Sequence, residues 1–150
     1  MTPEAFVARL GQEKGSAILR TNDQEKAALA MEAAIRGGFT IVEFTLTVPG
    51  VYDLVRDFSK RDGLVVGTGT VMTEEDAQNS VDAGARFLVS PVVDEVVIRA
   101  ATELGVGSMP GCHTPTEMLL SLIHISEPTR HTSQSRLAAS AWKKGGGGGG

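Results

Sequence analysis

Residues 40–46 read Thr-Ile-Val-Glu-Phe-Thr-Leu, a run of β-branched and aromatic side chains that is typical of a buried β-strand. Successive side chains of a strand point to opposite faces. One face would carry Ile41, Glu43, Thr45 and Thr47, and the other Val42, Phe44 and Leu46. A carboxyl group in such surroundings loses hydration, so we expect the pKa of Glu43 to rise toward the range of a working acid or base. The alternative is a strand-end glutamate that reaches water or pairs with an arginine.

The segments on both sides of this strand repeat one pattern. Short apolar strands start near residues 16, 40, 64, 86 and 106, with helical patterns between them. This alternation predicts a parallel sheet covered by helices, either an open doubly wound sheet or a (β/α) barrel. Polar or glycine-rich residues follow every strand, and a rim built from all strands favours the barrel. We therefore predict an α/β fold, a truncated TIM-type (β/α)8 barrel of about five βα units. Five strands cannot close such a barrel, so we expect the first and fifth strands to be unpaired edges.

Composition limits the class of protein. With 41% hydrophobic and 21% charged residues, the chain has the composition of a globular protein. The net charge of -4 gives no electrostatic reason to expect binding to nucleic acid or to an anionic membrane. The N-terminus shows no leader pattern and the single cysteine, Cys112, fits a reducing compartment, so we expect a cytoplasmic protein. Three scattered histidines predict no metal site.

The C-terminal part of the chain differs from the rest. Residues 120–130 resemble the translation of a transposase-type sequencing adapter, and the chain ends in six glycines, residues 145–150. Such glycines bury nothing and lose much conformational freedom when they are ordered. We therefore predict two parts: residues 1–119 as the N-terminal part of a barrel, and residues 120–150 as an artefactual or disordered tail without stable packing on the barrel.

Four motifs occur in order at strand ends: Gly-Phe-Thr-Ile-Val-Glu-Phe-Thr-Leu (38–46), Val-Gly-Thr-Gly-Thr-Val (66–71), Ala-Gly-Ala-Arg-Phe-Leu-Val-Ser-Pro (83–91) and Pro-Gly-Cys-His-Thr-Pro-Thr-Glu (110–117). Together they resemble the strand-end signatures of the 2-keto-3-deoxy-6-phosphogluconate aldolases, a family that includes the 4-hydroxy-2-oxoglutarate aldolases. The resemblance covers residues 16–119. It implies an eight-stranded (β/α) barrel, usually a homotrimer, that cleaves a 2-keto acid to pyruvate and an aldehyde. It also implies a lysine Schiff base and no metal or other cofactor.

The resemblance assigns expected roles to three residues and draws attention to two more. Glu43 matches the general acid/base of the family, Thr70 a threonine that hydrogen-bonds the pyruvate part of the substrate, and Pro91 a wall residue beside the Schiff base. Thr47 departs from the family, which usually has an arginine there to hold the keto-acid carboxylate. Arg20, at the end of the first strand, is the candidate to replace it, and its alternative is a charge on the rim that faces solvent.

Two sequence features need separate interpretation. The glycines of 67–70 lack the remaining residues of a nucleotide-binding loop, so we interpret them as a tight turn that lets backbone approach substrate. His113 is interpreted as a local hydrogen-bonding residue, and Cys112 as a packed residue.

No lysine follows a predicted strand; the five lysines are Lys14, Lys26, Lys60, Lys143 and Lys144. The Schiff-base lysine of the family lies on strand six, so we expect this chain alone to be inactive. Two alternatives stay open: another barrel enzyme that acts on sugar phosphates, and a non-catalytic binding module derived from a barrel.

Overall fold

The computed structural model of the protein describes residues 1–123 and 130–131. Helices and strands alternate throughout. The elements are α1 (Pro3–Glu13), β1 (Ala17–Leu19), α2 (Gln24–Arg36), β2 (Ile41–Thr45), α3 (Val51–Phe58), β3 (Val65–Gly69), α4 (Glu74–Ala83), β4 (Phe87–Ser90), α5 (Glu95–Glu103), β5 (Gly107–Cys112), α6 (Pro115–Ile123) and β6 (Arg130–His131). None of the helices in the described ranges combines the length and apolar character needed to cross a membrane.

The helices begin where the sequence provides capping side chains. Asp23 accepts a hydrogen bond from the Lys26 N–H at the start of α2. At the start of α4, Thr73 and Asp76 form a capping box, in which each side chain accepts from the backbone of the other. Asp94 caps α5 in the same way as Asp23 caps α2. Local polar residues therefore set the starts of these helices.

All strands are parallel, and they lie side by side in the order in which they occur in the chain, β1 to β6. A doubly wound sheet reverses its strand order at a switch point, whereas a barrel adds each strand beside the previous one. The sequential order confirms the predicted TIM-type α/β architecture.

Strand β6 corrects one prediction. Five strands would leave β5 as an open edge, but Gly111 and Cys112 of β5 pair with Arg130 and His131. The helix that precedes β6 also continues to Ile123, and Ser121 is buried within it. The predicted boundary at Leu119 therefore falls inside a helix. The other residues of the predicted tail, 124–129 and 132–150, lie outside the described residues.

The sheet has a buried core on each face. The larger core lies between the sheet and helices α2 to α5, and Val42, Phe44 and Val66 extend into it from the strands. The smaller core lies on the concave face, which becomes the interior of a barrel. There Phe6 of α1 stacks on Phe87, with ring centroids 4.6 Å apart. Helix α1 thus covers the concave face from one end and leaves the carboxyl ends of the strands open.

Candidate active site

Glu43 lies on the concave face, as the alternation of residues 40–46 predicts. Its neighbours on that face belong to the smaller core, whereas the flanking Val42 and Phe44 pack against the helices. The side chain is only 2% exposed. A carboxyl group at this depth is rare in proteins unless it interacts with other polar groups or has a chemical role. Burial thus excludes the alternative of a glutamate that reaches water.

Two glycines of β3 make room for this arrangement. Gly67 lies level with Glu43 in the sheet, and Gly69 lies level with Thr45. A Cβ on Gly69 would overlap Glu43 Oε1 and would lie 2.9 Å from its Cδ, and a Cβ on Gly67 would lie 2.5 Å from the Phe87 ring. Both positions need glycine because side chains from neighbouring strands occupy the space above them.

The interpretation of residues 67–70 as a tight turn is therefore wrong. Gly67 and Gly69 are both strand residues, because β3 continues to Gly69. The left-handed backbone conformation instead falls on Thr70, with φ of 65°. That conformation is strained for a β-branched residue and is found most often at functional sites.

Thr70 lies beside Arg20, although 50 positions separate them in the chain. The Arg20 guanidinium donates from Nη2 to Thr70 Oγ1 over 3.4 Å. Arg20 follows β1 and is exposed, and Thr70 follows β3 and is partly buried. The structure thus brings together a positive charge and a hydroxyl at the carboxyl ends of the strands, a pair suited to a carboxylate.

Thr47, the predicted departure from the family, lies in the turn after β2 and is exposed. Its Oγ1 is 2.9 Å from Oγ1 of Thr45, a buried residue of the concave face. Sequence reasoning placed Thr45 on this face but gave it no role. Its period-two spacing from Glu43 and Thr47 was the available signal.

Pro91 follows β4 and is exposed at the same end of the sheet. Its loop is held by Ser90, whose Oγ donates to the Val92 carbonyl over 2.8 Å. Four of the five predicted site residues therefore follow the carboxyl ends of β1 to β4, and Glu43 lies in the middle of β2. Hydrogen bonds link Arg20 with Thr70, and Thr47 with Thr45.

Cys112 is packed in the interior and His113 makes a local hydrogen bond, as interpreted from the sequence. Burial raises the pKa of the Cys112 thiol, and the nearby Glu117 carboxylate raises it further. The backbone N–H of His113 donates to Glu117, and this bond is the main reason why the pKa of Glu117 lies below its usual range. These contacts stabilise the start of α6, and they do not activate Cys112 as a nucleophile.

No lysine of the described region offers a buried amine that could serve as the nucleophile. Lys14 ends α1, Lys26 pairs with Asp23, and Lys60 pairs with Asp57, and all three are exposed. Within residues 1–121 the side chains form no group of three or more His, Cys, Asp or Glu that could hold a metal ion.

Two clefts on the described surface lie at the other end of the strands. One of about 350 Å³ is lined by Phe39, Arg61 and Gly63 among others, before β2 and β3 begin. That is the end of a barrel where residues usually serve stability, opposite to Glu43. We therefore assign the candidate site to the carboxyl ends of the strands on chemical grounds.

Comparison with known proteins identifies the family of the chain. The sequence model of the KDPG and KHG aldolases matches residues 7–125. The chain belongs to the KDPG and KHG aldolase family. The matched region continues past the predicted boundary at Leu119, consistent with the length of α6.

A probable 2-dehydro-3-deoxy-6-phosphogalactonate aldolase of Rhizobium meliloti is 39% identical over 105 residues, which are 69% of this chain and 50% of that protein. The KDPG aldolase of Legionella pneumophila, crystallised with pyruvate captured as a covalent carbinolamine, has a TM-score of 0.66 at 25% identity. It covers 73% of this chain and 54% of the Legionella chain. A designed cube-shaped cage of fused symmetric oligomeric domains has a TM-score of 0.72 at 29% identity, over 81% of this chain and 46% of its own. The chain thus spans about half the length of the relatives that it matches.

Proposed function

We propose that residues 1–119 are the N-terminal part of a class I aldolase that cleaves a 2-keto acid to pyruvate and an aldehyde. The observation that carries the proposal is the burial of Glu43 at 2% exposure, at the open end of a barrel-type sheet. Membership of an aldolase family supports the same chemistry.

In this mechanism Glu43 moves protons in two steps. A neutral lysine amine adds to the substrate ketone and gives a carbinolamine, and loss of water to form the Schiff base needs a proton donor for the leaving hydroxyl. The resulting carboxylate then takes the proton from the substrate hydroxyl as the carbon–carbon bond breaks. The electron pair of that bond moves into the protonated imine, which leaves an enamine of pyruvate.

The substrate carboxylate is held, in this proposal, by Arg20, Thr70 and Thr47. The Arg20–Thr70 hydrogen bond supports the assignment, because the guanidinium is already directed toward a residue that matches a family ligand. Thr47 offers one neutral donor where most relatives have an arginine, so the charge has to come from Arg20. Pro91 is proposed as an apolar wall beside the Schiff base.

The lysine amine that forms the Schiff base is proposed to come from residues that follow position 119 in the complete enzyme. By complete enzyme we mean the product of the source gene translated past the codon for Leu119. The three lysines of residues 1–119 support this, because all are exposed and two of them pair with nearby aspartates. Residues 120–150 are proposed not to belong to that enzyme, because residues 120–130 resemble a translated sequencing adapter. In the complete enzyme, other residues would then form the end of α6 and the strand beside β5. We also propose that it is a cytoplasmic homotrimer, and symmetric oligomeric domains in a structural relative support the assembly.

Borohydride reduction in the presence of pyruvate tests the proposal. In the complete enzyme the reduction should trap a covalent adduct on a lysine encoded after residue 119, and the 150-residue chain should give no adduct above background. Replacing Glu43 by Gln should keep the shape of the site and lower kcat by roughly 10²–10⁴-fold. Glu103→Gln, at the exposed end of α5, is the matched control and should retain activity. A specific adduct with turnover at Lys14, Lys26 or Lys60 would contradict the proposal.

A further inference from the structure

Thr45 is the last residue of β2 and is 1% exposed on the concave face. It lies level with Gly69, and its Cγ2 would lie 3.3 Å from a Cβ on that glycine. Glu43 Oε1 also occupies the space next to Gly69. Thr45 thus lies between the buried carboxyl group of Glu43 and the exposed hydroxyl of Thr47.

The backbone around this threonine pair is fixed by two hydrogen bonds. The Val48 N–H donates to the Thr45 carbonyl over 2.9 Å, which closes a turn around Thr47. The Leu46 N–H donates to the Gly69 carbonyl over 2.8 Å, which ties the turn to β3. With the backbone fixed, the Thr47 side chain can still rotate about its Cα–Cβ bond. The contact of 2.9 Å between Thr45 Oγ1 and Thr47 Oγ1 restricts that rotation.

The number of protons sets the direction of this hydrogen bond when a substrate is bound. A threonine hydroxyl has one proton to donate and two positions that accept, whereas a carboxylate only accepts. If Thr47 donates to the substrate carboxylate, its oxygen can only accept from Thr45. The buried hydroxyl of Thr45 then donates to Thr47, and each bond polarises the next.

We infer that Thr45 is a positioning residue for the substrate carboxylate: it holds the Thr47 hydroxyl in place and orients its proton toward the open end of the sheet. The inference rests on the proposed function, because it needs a carboxylate at Thr47. Thr45 would thus make a threonine effective at position 47, where the family usually has an arginine. It restricts the rotation of the Thr47 side chain and strengthens the Thr47 hydroxyl as a hydrogen-bond donor.

The effect should appear in substrate binding rather than in chemistry. The carboxylate is bound alike in the ground state and the transition state, so loss of this support raises KM and leaves kcat unchanged. A net hydrogen bond of ordinary strength corresponds to a rise in KM of about 2- to 10-fold.

The experiment compares variants of the complete enzyme. Thr45→Val keeps the shape of the side chain and removes its hydroxyl, and Thr45→Ser restores the hydroxyl. Thr68→Val is the matched control, because Thr68 lies next to Gly69 in β3, is fully buried, and faces the helices instead of the site. The Thr45→Val change is also made in a Thr47→Val background.

We expect Thr45→Val to raise KM about 2- to 10-fold at constant kcat, Thr45→Ser to restore KM, and Thr68→Val to leave KM unchanged. In the Thr47→Val background the added Thr45→Val change should have almost no effect on KM. A KM that is unaffected by Thr45→Val, or a rise of equal size in both backgrounds, would overturn the inference. If the unchanged enzyme traps no pyruvate adduct with borohydride, the proposed function fails and the inference fails with it. A trapped adduct with an unaffected KM rejects the role of Thr45 alone.

Discussion

Replacing Gly69 by alanine tests whether the close approach of β3 to Glu43 positions the catalytic carboxyl group. The backbone of Gly69 is not in the left-handed region, so alanine is compatible with its conformation. The strand should therefore form. What alanine adds is a methyl group that overlaps Glu43 Oε1.

The size of the effect follows from the distances at this position. The added Cβ would lie 2.9 Å from Glu43 Cδ, whereas ordinary van der Waals contact begins at 3.4 Å. The carboxyl carbon therefore has to move by about 0.5 Å, and Oε1 has to move further. Because a misplacement of about 1 Å costs roughly 10²-fold in rate, we expect kcat to fall about 10- to 100-fold. A proton-transfer group acts in the transition state, so kcat/KM should fall by the same factor.

The assay is pyruvate release by the complete enzyme, followed by coupled reduction to lactate. Two other glycines provide controls. Gly11→Ala lies in α1 with no atom within 4 Å of the added Cβ, and should leave kcat unchanged. Gly67→Ala would place its Cβ 2.5 Å from the Phe87 ring, so it should lower thermal stability. A Gly69→Ala enzyme that is folded by circular dichroism and has the kcat of the unchanged enzyme would refute the argument.

Three further predictions concern residues 1–123 and can be measured on the chain itself. The Oγ1 of Thr68 is buried and has no hydrogen-bond partner in the described part of the chain, so Thr68→Val should stabilise the protein by about 1 kcal/mol in urea unfolding; an unchanged or lower midpoint would contradict this. Cys112 is fully buried with a raised pKa, so its thiol should react with Ellman's reagent only after denaturant is added, and rapid labelling of the native protein would be the opposite result. The hydrogen bond from Arg61 holds the pKa of Glu32 below its usual value of 4.5. The ionised Glu32 carboxylate therefore stabilises the fold above pH 4.5, and this contribution disappears as the pH falls through the lower pKa of the folded state. Glu32→Gln should therefore lower the melting temperature at pH 7 more than at pH 3, and equal losses at both pH values would show that the pair contributes nothing to pH dependence.

Most of the fold could be predicted from the sequence because its signals are local. Caps such as Asp23 and Thr73 lie within three residues of the backbone groups that they satisfy. The strand period placed Glu43 on the concave face, since the alternation depends only on adjacent residues. The prediction that β5 is an open edge was wrong, because its pairing with Arg130 and His131 joins residues almost 20 positions apart in a segment without a strand pattern.

The glycines and hydroxyls of the site show the limit of sequence reasoning. Gly67 and Gly69 suggested a turn, because a glycine is read as conformational freedom when its neighbours in space are unknown. The structure shows that Phe87 and Glu43, from the two adjacent strands, occupy the space that a side chain would need. Sequence could propose Arg20 as a ligand, but it could not place its guanidinium on Thr70.

The sequence by itself thus determined the alternation of strands and helices, the parallel sheet and the face on which Glu43 lies, and it favoured the barrel. Only the tertiary structure decided that Gly69 makes room for the Glu43 carboxyl group, that Arg20 reaches Thr70 across 50 positions, and that the Oγ1 atoms of Thr45 and Thr47 lie 2.9 Å apart. The physical reason is register. Each strand carries its own alternation, but which side chains of different strands meet depends on how far one strand is shifted against the next. A shift of a single residue would exchange the contacts between strands, such as that of Gly69 with Glu43.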